Sequence, residues 1–265
     1  MQKSNNDIFW CSNCLNISTR PRITFDERGK CNSCIWSEKK REIDWKKKEN
    51  EFLKLIKKLR KKNKSEFDLI VPVSGGKDGS HVAHILKEKF KLNPLPITVH
   101  PYLRSEIGYK NLENFKKNNF DLLEINLPYE TLRKLSKFCF IDHGKPGAAW
   151  QTGIFSSVIR IAIKMGINLI VYGECGETEY GGTTHQENLQ TFSQKFLKKV
   201  YLEGKHEKMM KQVKNKKDLY WWTFPRDKSL NLNLTFWSHF ENWDPYIHYL
   251  TAKKHCGYED RDQKN

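Results

Sequence analysis

The sequence predicts an α/β protein: a parallel sheet with helices on both faces, preceded by a four-cysteine zinc knuckle. Three observations predict it. Short apolar runs alternate with helical patterns between residues 65 and 182, the first run ends in a glycine-rich turn, and two Cys-x-x-Cys pairs stand ahead of them. With 265 residues the chain can bury a core for such a sheet. No apolar run approaches the roughly 18 residues of a membrane span. The stretch from Met1 to Trp10 lacks the basic start and apolar centre of a secretory leader, so a cytoplasmic protein without membrane partners is expected.

Residues 1–38 read as the knuckle. Cys11-x2-Cys14 and Cys31-x2-Cys34 have the spacing at which two turns offer four thiolates to one Zn²⁺. Four protein ligands leave no open position, so the role expected of this zinc is structural: it folds a segment too small to fold alone. Arg20-Pro21-Arg22 and residues 26–29 supply turns between the pairs. Cys139, Cys175 and Cys256 are scattered and odd in number, which fits a reducing compartment better than disulfides.

Residues 39–64 predict a basic linker helix with Trp45, Phe52, Leu53, Ile56 and Leu59 on one stripe. The segment carries 13 Lys/Arg against 4 Asp/Glu, and residues 194–217 carry 9 Lys against 2 Glu. Together these two segments account for the whole net charge of +16. Such surfaces attract RNA, an anionic sugar nucleotide or an acidic protein, or are simply solvated helix faces.

Residues 65–182 read as the nucleotide-binding domain. Strands are expected at 67–73, 95–99, 122–127 and 169–172, with helices at 81–90, 109–118 and 153–165. The first helix should bury Val82, Ile85, Leu86 and Phe90. Ligands of parallel sheets bind at the carboxyl ends of strands. After the first strand comes Ser74-Gly75-Gly76-Lys77-Asp78-Gly79-Ser80, a loop opening a helix. Its glycines let backbone approach an anion, Ser74 and Ser80 can donate hydroxyls, Lys77 can neutralise phosphate, and Asp78 can hold Mg²⁺ through water. It matches neither a Walker loop nor a dinucleotide fingerprint. His100 follows the second strand, where a nucleotide base often sits. After the fourth strand stand Gly173, Glu174, Cys175, Gly176, Glu177, Thr178, Glu179, Tyr180, Gly181 and Gly182, which could form a loop over a ligand or a structural turn.

Residues 183–265 read as a helical, aromatic-rich region whose Trp221, Trp222, Trp237 and Trp243 could stack a sugar or base, or pack a subdomain. Gln151-Thr152-Gly153 could touch phosphate or merely start a helix. His81 and His84, three apart, could ligate a metal or line a helix surface.

The glycine loop resembles that of the PP-loop ATP pyrophosphatases, with Gly79 inserted before Ser80. Taken with the cysteine head running through residues 20–26, with Gly173-Glu174 and Glu179-Tyr180-Gly181-Gly182, and with Trp243-Asp244 before Ala252-Lys253-Lys254, the sequence resembles the N-acetyl sugar amidotransferases of bacterial surface-polysaccharide (LPS O-antigen or nonulosonic acid) biosynthesis. The resemblance implies a PP-loop, HUP-like α/β domain that uses ATP and ammonia to turn the N-acetyl group of an anionic or nucleotide-linked sugar into an acetamidino group. It implies ATP held by residues 74–80, His100 and Gly173, and chemistry by Lys77, Asp78, Glu174 and Glu179. Tyr180, Gly181, Gly182 and Gln151 would face the sugar, with Mg²⁺ on Asp78 or Glu174. Partners implied are a glutaminase subunit and a cyclase-like subunit channelling ammonia; nucleic acid is not expected. Where the family has Asn-Pro after Gly-Glu, this chain has Cys175-Gly176, and residues 183–265 read as shorter than the family's C-terminal region. The other readings are a PP-loop tRNA thiolation enzyme, with Cys139 or Cys175 carrying sulfur, and a non-catalytic family member.

Overall fold

Leu69, Ile70 and Val71 are wholly buried, as are Leu169, Ile170 and Val171, and the two runs pair in parallel at Ile70 and Ile170. This apolarity on both faces is what the middle of a parallel sheet requires. The computed structural model describes residues 8–61, 63–184, 187, 189–225 and 232–261. In chain order the elements are α1 (Asn32–Lys39), α2 (Trp45–Arg60), β1 (Leu69–Pro72), α3 (Lys77–Glu88), β2 (Pro94–Val99), α4 (Glu106–Lys117), β3 (Leu123–Ile125), α5 (Tyr129–His143), α6 (Gly147–Met165), β4 (Leu169–Tyr172), α7 (Gly176–Glu179), α8 (Gln194–Phe196), α9 (His206–Met210), β5 (Asn233–Phe236) and α10 (Pro245–His255).

The strands form one sheet in the order β3-β2-β1-β4-β5, with β1, β2, β3 and β4 parallel to their neighbours. The chain steps outward from β1 to β3 and then returns to β4 on the far side of β1. Right-handed crossovers therefore put α3 and α4 on one face and α6 on the other, the α/β architecture expected. The order reverses between β1 and β4, the place where sheets of this kind commonly take ligands at the carboxyl ends of their strands.

Packing groups the chain into two units, one of residues 1–55, 174–190 and 236–243, the other of residues 56–173, 191–235 and 244–265. The first holds the cysteine knuckle and α7, the second the sheet. Residues 1–7, which include most of the stretch read as lacking a leader, lie outside the described residues. Among the described residues no helix is long and apolar enough to cross a membrane.

Several element boundaries differ from expectation. Helix α3 starts at Lys77 rather than 81, because Gly76 is extended (ψ 170°) and serves as its N-cap. Its buried face is Val82, Ala83 and Leu86, while Ile85 and Phe90 are only half-buried. Helix α6 starts at Gly147, so Gln151 lies inside a helix and not ahead of one. On α2, Leu53 is 45% exposed and Leu55 replaces it in the stripe. Residues 52, 55, 56 and 59 share one arc, whereas residue 53 lies roughly 100° round from 52.

Candidate nucleotide cleft and metal centre

The knuckle is built by two short antiparallel bridges, Trp10 with Ile17 and Phe25 with Cys31, each returning the chain beside a Cys-x-x-Cys turn. The sulfurs of Cys11, Cys14, Cys31 and Cys34 all lie within 4.8 Å of one another. Cys11 Sγ is 3.9 Å from Cys34 Sγ, and Cys14 Sγ is 3.6 Å from Cys31 Sγ. Four sulfurs bonded to one tetrahedral ion at ~2.3 Å stand roughly 3.8 Å apart, so the donor set fits a single metal ion. Thiolates on separate irons of a cluster stand further apart. Backbone amides of Asn13 and Cys31 donate to Cys11 Sγ at 3.4 and 3.2 Å, and side-chain amides of Asn13 and Asn16 donate to Cys34 and Cys31 at 3.3 and 3.4 Å. Burial pushes the Cys11 thiol up, but backbone amides of Cys31, Asn13 and Cys14 outweigh it and bring it to about 6. Burial raises Cys14 and pushes Cys34 up to about 12. A bound cation would replace those thiol protons, since thiolates are the ligating form.

In the same unit the second motif is occupied by the knuckle. Four consecutive carbonyls each accept a knuckle donor: Glu179 from Ser33 Oγ (2.6 Å), Tyr180 from Asn16 Nδ2 (3.3 Å), Gly181 from Arg20 Nε (2.6 Å) and Gly182 from Asn32 Nδ2 (2.5 Å). Gly181 sits at φ +85°, and a Cβ on Gly182 would lie 2.3 Å from Glu177 Oε2. Glu179, expected to do chemistry, has a buried carboxylate taken by Trp36 Nε1 (3.0 Å) and Lys40 Nζ (2.7 Å). Tyr180, expected to face a sugar, packs its ring edge-on to Trp243 at 5.5 Å. Glu174 is half-buried in the turn ahead of α7.

In the other unit the glycine loop follows β1 and opens α3, as expected. Gly75 sits at φ +79°, where a Cβ would lie 2.7 Å from the Gly108 carbonyl oxygen. A Cβ at Gly79 would lie 2.9 Å from the Pro72 carbonyl oxygen, so the inserted glycine lets α3 seat on β1. The N-cap of α3 offers no side-chain oxygen to its first-turn amides, which leaves the helix end suited to an anion. Ser80, expected to donate to phosphate, spends its hydroxyl on the Gly76 carbonyl at 2.9 Å inside the helix. Asp78 is gripped on both oxygens: Lys77 Nζ is 2.5 Å from Oδ2, and His248 Nδ1 is 2.8 Å from Oδ1. Gly173, after β4, faces this carboxylate's stem, and a Cβ there would lie 3.3 Å from Asp78 Cβ.

Beside the loop a cleft of about 170 Å³ opens between the ends of β1 and β2 and the start of α4. Ser74, His100, Arg104, Ser105 and Tyr109 give it polar walls, and Trp150 closes one side. His100 is buried, its Nε2 2.6 Å from Glu124 Oε2. Burial pushes the Glu124 carboxyl up, but hydrogen bonds from His100 and Lys116 outweigh it and hold it below its usual range. Gln151 is not among the residues lining this cleft. A second cavity of about 310 Å³ shares Pro101, Leu103 and Trp150 with the first and adds Tyr102 and Arg133.

Sequence reasoning missed His248. Its helix carries a start signal, Asp244 accepting from the amides of Tyr246 and Ile247 at 2.8 and 3.2 Å with Pro245 in the first turn. Nothing in the local pattern ties it to Asp78. Trp222 is wholly buried and donates to the Ala149 carbonyl at 2.9 Å, so it packs rather than stacks a ligand. Cys139 and Cys256 are buried, and burial pushes their thiols up to about 11 and about 12.

No family model matches the chain. A curated relative, an uncharacterized protein of Methanocaldococcus jannaschii, is 28% identical over 180 residues, covering 67% of this chain and 62% of the relative. The chain thus spans less than two thirds of the length of the relative it matches. Among solved structures it is similar to a U34-tRNA thiolase of Methanococcus maripaludis with a 4Fe–4S cluster, at TM-score 0.42 and 14% identity over 96% of this chain and 75% of that one. It is also similar to an NH3-dependent NAD synthetase of Campylobacter jejuni, at TM-score 0.38 and 15% identity over 70% of this chain and 99% of that one.

Proposed function

We propose that the chain is a PP-loop ATP-dependent amidotransferase that converts the N-acetyl group of an anionic or nucleotide-linked sugar into an acetamidino group. The observation that carries this reading is the 74–80 loop at the carboxyl end of β1, where Ser74 lines the His100 cleft and Lys77 begins a helix with no side-chain cap. The sugar-specific part rests on the sequence resemblance. The cleft would take the nucleoside, and the loop the polyphosphate, with Asp78 or Glu174 for its Mg²⁺. The adjoining cavity offers the Tyr102 and Trp150 rings to a sugar face and Arg133 to an anionic group.

An amide carbonyl is a poor electrophile. Attack of its oxygen on the α-phosphate releases pyrophosphate and leaves an O-adenylated imidate, from which ammonia displaces AMP to give the amidine. The chain's task is to position the two substrates and neutralise charge on the leaving pyrophosphate. Ammonia comes from a glutaminase with a cyclase-like channelling subunit. Cys11, Cys14, Cys31 and Cys34 would hold Zn²⁺ at the knuckle, where a closed four-thiolate site would support the fold and take no part in the reaction. In the alternative thiolation reading Cys139 or Cys175 would carry sulfur; burial pushes the Cys139 thiol up to about 11, which does not favour it as a nucleophile.

The test is pyrophosphate release from ATP with Mg²⁺ and ammonium, offered either N-acetylated nucleotide-linked and nonulosonic sugars or unmodified tRNA. Release that depends on a sugar, with NH replacing the amide oxygen in the product, is expected. Release with tRNA alone would overturn the proposal.

A further inference from the structure

Building on the nucleotide reading, we propose that His248 is a positioning residue of the phosphate loop, so that α10 belongs to the nucleotide site. It reaches Asp78 from 170 residues along the chain. Its side chain is 2% exposed, its Nδ1 lies 2.8 Å from Asp78 Oδ1, and its ring stacks on His81 at 3.8 Å and 14°. A carboxylate only accepts, so Nδ1 carries the proton and donates. The helix that presents it packs along α3, and Cys256 Sγ at its far end donates to the Ser80 carbonyl at 3.4 Å.

The consequence runs through two side chains. Asp78 stands in the first turn of α3, and its other oxygen holds Lys77 Nζ. Fixing one oxygen of a carboxylate fixes the direction of the other. His248 therefore sets where the Lys77 ammonium waits, and Lys77 is the loop's only lysine. Without the hydrogen bond, Asp78 can rotate and pull Lys77 away from the helix start, where polyphosphate charge is to be met. His81 backs the imidazole as a flat wall and limits its rotation.

The experiment compares the full chain with His248→Asn, His248→Leu and the control Tyr246→Ala, which alters an exposed residue of the same helix. Equilibrium binding of Mg²⁺ with α,β-methylene-ATP is measured, together with KM and kcat for pyrophosphate release and the thermal melt of each protein. An asparagine amide can donate from the Nδ1 position; leucine cannot. Expected is a loss of about 10- to 100-fold in analogue affinity and kcat for His248→Leu, with the sugar KM unchanged. His248→Asn recovers most of the loss, and Tyr246→Ala matches wild type. A folded His248→Leu that binds the analogue like wild type overturns the inference. So does a folded His248→Asn that binds at least 10-fold more weakly than wild type, which decides the matter even if the leucine variant fails to fold. Failure of the wild-type chain to bind the analogue overturns the nucleotide reading and this inference with it.

Discussion

Arg22 holds Glu177 with a two-pronged ion pair: Nη2 lies 2.6 Å from Oε1 and Nε 2.9 Å from Oε2. Oε2 also accepts the Thr183 amide at 2.8 Å, and the glutamate side chain is only 9% exposed. Arg22 does this from φ +64°, a conformation non-glycine residues avoid. Arg22→Met leaves a buried carboxylate short of its cation. Because Arg22 is 34% exposed, the expected cost is about 2 kcal/mol. Urea unfolding measures it, and a change within error would show that solvent replaces the guanidinium.

The knuckle should bind one metal ion per chain. Elemental analysis should return one zinc, and the four knuckle cysteines should become reactive toward a thiol reagent once a chelator is added. Cys31→Ser removes a wholly buried thiolate, and an affinity loss of at least about 100-fold is expected. A chain with no metal and four free, reactive knuckle thiols would refute the site.

Gly75→Ala should cost about 2–3 kcal/mol, because it combines a positive φ with a Cβ 2.7 Å from the Gly108 carbonyl. Gly144→Ala shares a positive φ (+67°) but meets nothing within 4 Å, and should cost about 1 kcal/mol. Chemical denaturation of both variants separates backbone strain from collision. Equal losses would mean the loop yields.

Burial first, and then the Lys48 ammonium, bring the His239 imidazole down to about 4. The folded protein keeps it neutral while the unfolded chain takes up a proton near its ordinary value of about 6.5. Stability from this residue is therefore complete above about pH 6.5 and is lost as pH falls toward 4, by on the order of 2 kcal/mol. His84 and His206, also lowered by burial, act with the same sign. Comparing wild type with His239→Gln across that range isolates His239, and identical slopes would remove it from the account.

Glu179→Gln tests whether that carboxylate serves structure. It removes the charge that pairs with Lys40 and replaces one accepting oxygen with a donating amide nitrogen facing a donor, so a loss of roughly 1–3 kcal/mol is expected in unfolding experiments. A purely catalytic Glu179 would leave the melt untouched.

The legible parts of the chain are those whose cause is local. β1 and β4 show as uninterrupted apolar runs because both faces are covered, and the four cysteines show through spacing alone. β5 does not, since Asn233 and Thr235 interrupt its apolar character. Helix α5 buries Leu132, Leu135 and Cys139 at helical spacing, but Phe140 and Ile141 are exposed and blur the stripe. The contacts of Glu179 and His248 were hidden for another reason. An acid beside glycines looks alike whether it meets a ligand or a lysine, and a histidine's partner 170 residues away leaves no trace in its neighbours.

Gly79 gives the loop a phase as well as a clearance. It lies within α3, so deleting it would turn every later residue of the helix back by about 100°. Val82, Ala83 and Leu86 would leave the face they now bury, and His81 would swing away from His248. The glycine cannot be lost alone: α3 and the α10 surface that reads it are geared to one another, and a change of length in one demands recutting the other.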